Sequence, residues 1–290
     1  MEIPLWFTFA LLASIFSGLN NFLNKVAAEK KFNSKIVAFW FNLFSMVIAF
    51  LGFLFYAKEG IKIDLVFWGG IIIVAIGNIV VILNKIKGLK YLNAGTFFVA
   101  SRFGLIGILF LVEFFWYNSL FTMKSVMGLV IGFIALGLLA ETKKNKKKQY
   151  LIGGAVAVVI VIITMTINNV VRKNVILMEY DRYAYYFFMF GLSFLFTTII
   201  NYKELKSKVI FTNKNKIIFY PFLQAVFNYG TGLAVFASLE YGANLAILSK
   251  TVSYSLFVPI ILSIIIYKEK VTIKKLVAFG LTVVSLWLFL

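Results

Sequence analysis

Apolar runs long enough to cross a membrane follow one another along almost the whole chain, separated by short charged connections. A membrane-spanning helix needs about 20 mostly apolar residues. Ten runs qualify: Ile3–Leu23, Ile36–Tyr56, Leu65–Leu83, Ala94–Phe115, Ser125–Ala140, Leu151–Val171, Tyr183–Tyr202, Ile217–Ala237, Ala243–Tyr267 and Leu276–Leu290. The fifth and tenth are short, so each is expected to begin inside the hinge before it, near Met123 and Ile273. Connections this short force neighbouring helices to run antiparallel, and nothing is left over for a soluble domain. Composition agrees. Hydrophobic residues make up 62% of the chain and mean hydropathy is +0.95, where a soluble domain is about half apolar. The expected fold is an all-α membrane protein of ten transmembrane helices. The first run lacks a basic n-region and a small-residue cleavage site, so it is expected to be a retained helix.

The chain also repeats itself. At a shift of 150 positions Leu89 falls on Leu239, Tyr91 on Tyr241, Tyr117 on Tyr267, Thr122 on Thr272 and Lys124 on Lys274. Asn78 meets Asn228 on the same diagonal. At a shift of 148 the end of the first run, LNNFLNK from Leu19 to Lys25, meets INNVVRK from Ile167 to Lys173. Residues 1–140 thus read as one five-helix repeat and 151–290 as a second. The Lys-rich linker 141–150 between them includes ETKKNKKKQ, Glu141 to Gln149. An odd number of helices per repeat turns the second half upside down relative to the first. In that inverted-repeat plan the substrate site lies near the midplane between the halves.

Charge narrows the function. The net charge is +18, but the basic residues sit in short loops between apolar runs, where they hold anionic lipid headgroups and fix topology. No basic stripe interleaved with exposed aromatics points to nucleic acid. Cys and His are absent, and only eleven carboxylates exist, which removes thiol nucleophiles, His-based metal sites and His proton relays. An enzyme is not expected, and no cofactor. Counting Lys and Arg, the loops after odd-numbered runs carry 21 and those on the other face 6. The positive-inside rule therefore puts both termini outside.

Leu239-Glu240-Tyr241-Gly242-Ala243 leads into an apolar run with Pro259 inside, and Lys268-Glu269 with a VTIKK hinge opens the last run. This pattern resembles the drug/metabolite transporter superfamily, in particular its EamA-like branch. The resemblance covers essentially the whole chain in architecture, on loose motifs. It implies paired five-helix units, each with a Gly-Glu hinge between its fourth and fifth helices, and transport by alternating access. Departures are plain. Lys268 stands where Gly is usual, Ser119 occupies the place matching Glu269, and Leu109 the place matching Pro259. Members of the branch usually keep both termini in the cytoplasm, opposite to the charge count.

Each repeat holds one basic residue inside an apolar run, Arg102 and Lys250. Such a charge costs about 2.5–3.5 kcal/mol at a helix centre on insertion scales, so it marks function by default. The expected role is a pair of cationic hooks for a substrate carboxylate or phosphate. The plain alternative is a buried ion pair or capping arrangement with Glu113 or Glu240. Glu113 itself lies about 16 Å along the helix from Arg102, too far for a direct pair. Asn20, Asn78, Asn168 and Asn228 are expected to add neutral donors and acceptors, or else to bond helix to helix. Tyr254, with Trp40 and Tyr229, could line the cavity. Ser101, Thr251, Ser253 and Ser255 flank the two basic residues and would make those helix faces polar. Gly128 and Gly132 would suit close helix packing, within or between protomers, in a monomer or homodimer. The expected function is a secondary transporter, a uniporter or exchanger, moving a small anionic or zwitterionic metabolite (an amino acid, organic acid or phosphorylated sugar) across the plasma (inner) membrane. Its other partners are lipids. Export of hydrophobic or cationic compounds is the alternative the resemblance also allows.

Overall fold

In lipid every backbone N–H and C=O must be satisfied within the chain, so apolar runs of this length become helices. The computed structural model describes residues 4–30, 32–58, 60–92, 94–138, 148–206, 214–258, 261–262, 265 and 272–288. Among these residues all regular structure is helical. The helices are α1 (Leu5–Glu29), α2 (Ser34–Tyr56), α3 (Leu65–Tyr91), α4 (Ala94–Phe115), α5 (Met123–Leu138), α6 (Lys148–Leu177), α7 (Arg182–Ile200), the short α8 (Tyr202–Lys206), α9 (Lys214–Glu240), α10 (Leu245–Ser253) and α11 (Ile273–Trp287). Seven of them, α1 to α4, α6, α7 and α9, are long and apolar enough to cross a membrane. The chain is a multi-pass integral membrane protein.

Three of the residues at which the chain bends back into the bundle after a short loop are Asp or Asn acting as helix caps. Asp64 accepts from Phe67 N–H at 2.8 Å, Asp181 from Tyr183 and Ala184 N–H at 2.9 and 2.8 Å, and Asn244 from Ala246 N–H at 2.8 Å. Each satisfies donors that a helix start leaves free. As expected, α5 and α11 begin at Met123 and Ile273. Several helices outrun the expected spans: α1 reaches Glu29, α3 Tyr91 and α6 Leu177. The expected ninth run is interrupted. α10 gives way to a 3-10 turn over Tyr254–Leu256. Proline has no N–H, so Pro259 cannot bond the Ser255 carbonyl four residues earlier. Pro259 itself, the Tyr267 to Lys270 end of that run with the expected hinge Glu269, and linker residues 141–147 lie outside the described residues.

Packing follows a small set of pairs. α1 lies on α9, α3 on α6, α2 on α7 and α9, α3 also on α7, and α5 on α11. α4 touches α6 and α10, and α10 touches α1. An aromatic core, with Tyr185, Tyr186, Phe190 and Phe236 all but fully buried, fills the space between α2, α3, α7 and α9. Two glycines permit close approaches between elements. A Cβ on Gly77 of α3 would lie 2.6 Å from Asn168 Oδ1 of α6, and one on Gly18 of α1 would lie 2.8 Å from the Ser255 carbonyl oxygen at the 3-10 turn. Phe55, Phe115 and Trp116, each about three-quarters exposed, present the apolar outer surface expected against lipid.

The two ends of the bundle differ. One end gathers the start of α1, the end of α4, the end of α6 and the start of α10, and is here called the Glu113 end. At the other, Lys30 meets the Tyr220 hydroxyl at 2.5 Å and Lys35 meets Glu204 at 2.7 Å.

Candidate functional site

Between α1, α3, α4, α6, α9 and α10 lies a polar cavity of about 100 Å³. Five of the seven expected site residues line it: Asn20, Asn78, Arg102, Asn168 and Asn228. They come from five different helices. Arg102 is 6% exposed, and its Nη2 donates to Ser17 Oγ of α1 at 3.2 Å. Asn20 Nδ2 faces Asn228 Oδ1 across the α1–α9 crossing at 3.5 Å. Beside them, Asn24 Nδ2 donates to the Asn20 carbonyl at 3.0 Å and Asn24 Oδ1 accepts from Gln224 Nε2 at 3.0 Å. Across the α3–α6 crossing, Asn78 and Asn168 stand in the corresponding places. Asn78 Nδ2 reaches only Met189 Sδ at 3.6 Å, a weak acceptor, and Asn168 Oδ1 is buried without a hydrogen-bond partner. These amides are left with capacity for a ligand.

Two further cations line the cavity, Lys85 of α3 and Arg172 of α6. Apolar run length ends the third run at Leu83 and the sixth at Val171, which leaves both cations in loops. The signal was there: Lys85 is seven residues after Asn78 and Arg172 four after Asn168, so each shares a helix face with its Asn. Lys85, Arg102 and Arg172 line the same small cavity, and Arg172 Nε is buried without a hydrogen-bond partner. None of the lining residues is Asp or Glu. Among the described residues, the ion pairs at the bundle's ends use other cations.

Lys250 and Tyr254 are elsewhere, on the face of α10 that turns from the cavity toward α5 and α11. Lys250 is fully buried, its Nζ has no hydrogen-bond partner, and it lies 5.0 Å from the Tyr254 ring centre and 5.7 Å from that of Phe133. It fills a notch at Gly132, where a Cβ would overlap Lys250 Cε. Tyr254 donates to Ser285 Oγ at 2.6 Å, and Ser285 to the Gly128 carbonyl at 2.5 Å. The Gly128 and Gly132 spacing is thus used inside one chain.

The flanking hydroxyls mostly turn back on their own helices: Ser101 to the Phe98 carbonyl at 3.0 Å, Thr251 to that of Ile247 at 3.0 Å and Ser253 to that of Ser249 at 2.6 Å. Ser255 instead accepts from Asn21 Nδ2 at 3.3 Å. Tyr229 belongs to the aromatic core, and Trp40 packs on Phe39 and Phe44.

Glu113 is wholly buried and takes part in a knot that ties α4, α6 and α10 together. Its Oε1 accepts from Lys173 Nζ at 2.7 Å and from the Leu245 N–H at 2.7 Å, and its Oε2 from Ser119 Oγ at 2.5 Å. Lys173 Nζ also lies 3.8 Å from the Tyr117 ring centre, while the Tyr117 hydroxyl donates to Asn174 at 2.9 Å. Glu113 therefore pairs with Lys173 and not with Arg102. Glu240, the other expected partner, pairs with Arg182 at 2.6 Å.

A larger groove of about 380 Å³ runs between α1 and α9. Its walls are mainly apolar, including Phe9, Leu12, Phe16 and Leu233, and its two charges, Arg182 and Glu240, already satisfy each other. It offers a polar ligand little, and the polar cavity is the candidate site.

No family model matches the chain, and no curated protein matches it. Chains of solved structures do. One crystal structure of a protein superimposes with a TM-score of 0.71 over 97% of this chain and 96% of that chain, at 11% sequence identity. At that identity the likeness shows a shared fold and nothing of its activity.

Proposed function

We propose that the protein is a secondary transporter of the drug/metabolite transporter type, moving a small anionic or zwitterionic metabolite by alternating access. The observation that carries this reading is the cavity itself. Arg102, Lys85 and Arg172 meet six Asn side chains at a polar site inside an apolar bundle, with no carboxylate among the described residues that line it. Cations set that deep are costly unless something anionic comes to them, and the missing carboxylates speak against a cationic substrate.

The helix packing supports ten crossings arranged as two inverted repeats. Exchange α1 with α6, α2 with α7, α3 with α9, α4 with α10 and α5 with α11. The α1–α9 contact becomes α6–α3, α4–α6 becomes α10–α1 and α2–α9 becomes α7–α3, while α2–α7 and α5–α11 map onto themselves. Asn20 exchanges with Asn168 and Asn78 with Asn228, so the two helix crossings that flank the cavity are images of one another. In this reading the Glu113 knot is the closed gate at one end. The basic loops gather at the other end, which faces the cytoplasm of a plasma-membrane protein.

The test is a thermal-shift screen of the purified chain with amino acids, organic acids, phosphorylated sugars and organic cations. A ligand at 100 times its dissociation constant stabilises by about 2.7 kcal/mol. An anionic or zwitterionic class that shifts the wild type and not Arg102→Ala supports the proposal. Stabilisation by cations alone sinks it.

A further inference from the structure

We infer that the cavity selects a small substrate carrying two negative charges. The inference rests on the cavity being the substrate site. Three helices each deliver one cation to it: Lys85 from α3, Arg102 from α4 and Arg172 from α6. Three like charges that line one cavity of about 100 Å³ repel one another. A single negative charge leaves most of that repulsion in place. A zwitterion would add an ammonium to a site whose lining has no carboxylate to receive it. A neutral polyol would compensate nothing. A dianion offsets the cationic cluster, and its oxygens match the two planar guanidinium forks. The Asn78 amide, held only by the weak Met189 Sδ acceptor, supplies a donor for a remaining lone pair. A phosphate monoester and a dicarboxylate share this chemistry.

The experiment uses the full chain in detergent and two series in which charge changes at nearly constant size. One is methyl phosphate against dimethyl phosphate, at about pH 8, above the second phosphate pKa of about 6. The other is succinate, succinamate and succinamide. At least one dianion should bind the wild type about tenfold or more tightly than its own singly charged partner, since a single charge-assisted hydrogen bond is worth at least that factor. The better series tells phosphate ester from dicarboxylate. Lys85→Gln and Arg172→Gln should each erase the preference for two charges while a monoanion still binds. Monoanions binding as tightly as dianions, with binding lost in Arg102→Gln, would overturn the inference and leave the site standing. Failure of both dianions to bind overturns it as well. Binding that survives Arg102→Gln unchanged removes the cavity reading underneath. The charge series needs only the wild-type chain, so a variant that fails to fold does not spoil the test.

Discussion

Replacing Glu113 with Gln should open one end of the bundle. The carboxylate is fully buried and accepts from Lys173, Ser119 and the first N–H of α10, so three helices depend on it. Breaking a buried ion pair costs about 3–5 kcal/mol, because the partner is left as an uncompensated charge. Gln keeps one acceptor oxygen, and Lys173 is 16% exposed and can reach solvent, so the lower limit, about 3 kcal/mol, applies. If the knot exists only in the state closed at this end, that cost falls on one side of the equilibrium. It then shifts the open-to-closed ratio by about 100-fold. The chain has no Cys, so Ser249→Cys, on the cavity face of α10, is a clean reporter. In sealed vesicles a membrane-impermeant maleimide applied at the Glu113 end should label it far faster in the Glu113→Gln background than in the wild type. Applied at the other end it should label no faster. Ser119→Ala, which removes one hydrogen bond, should give a smaller rise of about tenfold. Unchanged labelling in both variants, with folding intact, would falsify the idea that this knot is a gate.

The notch that holds Lys250 makes a paired prediction. Lys250→Met, which removes a buried amine that has no hydrogen-bond partner, should raise the melting temperature, by about 1–3 kcal/mol of stability. Gly132→Ala should lower it by about 1–3 kcal/mol, because the new Cβ meets Lys250 Cε and Nζ. Most of that loss should vanish in a Lys250→Ala background, and additive effects would show that the two residues do not share the space. At the Glu113 end, the Tyr180 hydroxyl lies 2.6 and 2.7 Å from the two oxygens of Asp64. That hydrogen bond, with the Phe67 N–H, holds the Asp64 carboxyl below its usual range, and the same contact pushes the Tyr180 phenol up to about 12. Asp64 therefore adds stability above the ordinary carboxylate pKa of about 4 that is lost as pH falls through its lower folded value. Tyr180 adds stability below about pH 10 that is lost as pH rises toward the folded value. Tyr180→Phe should flatten both limbs of a melting-temperature profile, and a profile identical to wild type would count against the contact.

Much of this arrangement is legible in the chain itself. Apolar run length located the seven long helices, and the starts of α5 and α11 at Met123 and Ile273 followed from their shortness. The Asn pairs were legible because polar residues are rare in such runs. Asn20, Asn78, Asn168 and Asn228 recur on almost one diagonal, and the fold puts all four at one cavity. Helix ends were less legible. A membrane-length window stops at the first charges, whereas α3 and α6 carry their charged turns on inside the bundle. There, packing rather than hydropathy decides what is buried. That is why Lys85 and Arg172 read as loop cations.

The misplacement of Lys250 has a different cause, and it lies in helical phase. The repeat register of 150 sets Arg102 against Val252, not against Lys250. Val252 does line the cavity with Leu248 and Ser249, so α10 presents the expected face there. Two residues along an α-helix is a turn of about 200°. A lysine at 250 therefore points to the opposite side of α10, into the Gly132 notch, however similar its charge makes it to Arg102. Charge suggested a symmetric pair of hooks, but the register of the surrounding residues gives an asymmetric site, with its cations on α3, α4 and α6 and with Val252 as the uncharged counterpart of Arg102 on α10. Where residues match along one diagonal of a sequence, the diagonal that aligns the neutral residues is the safer guide to which side chains share a face.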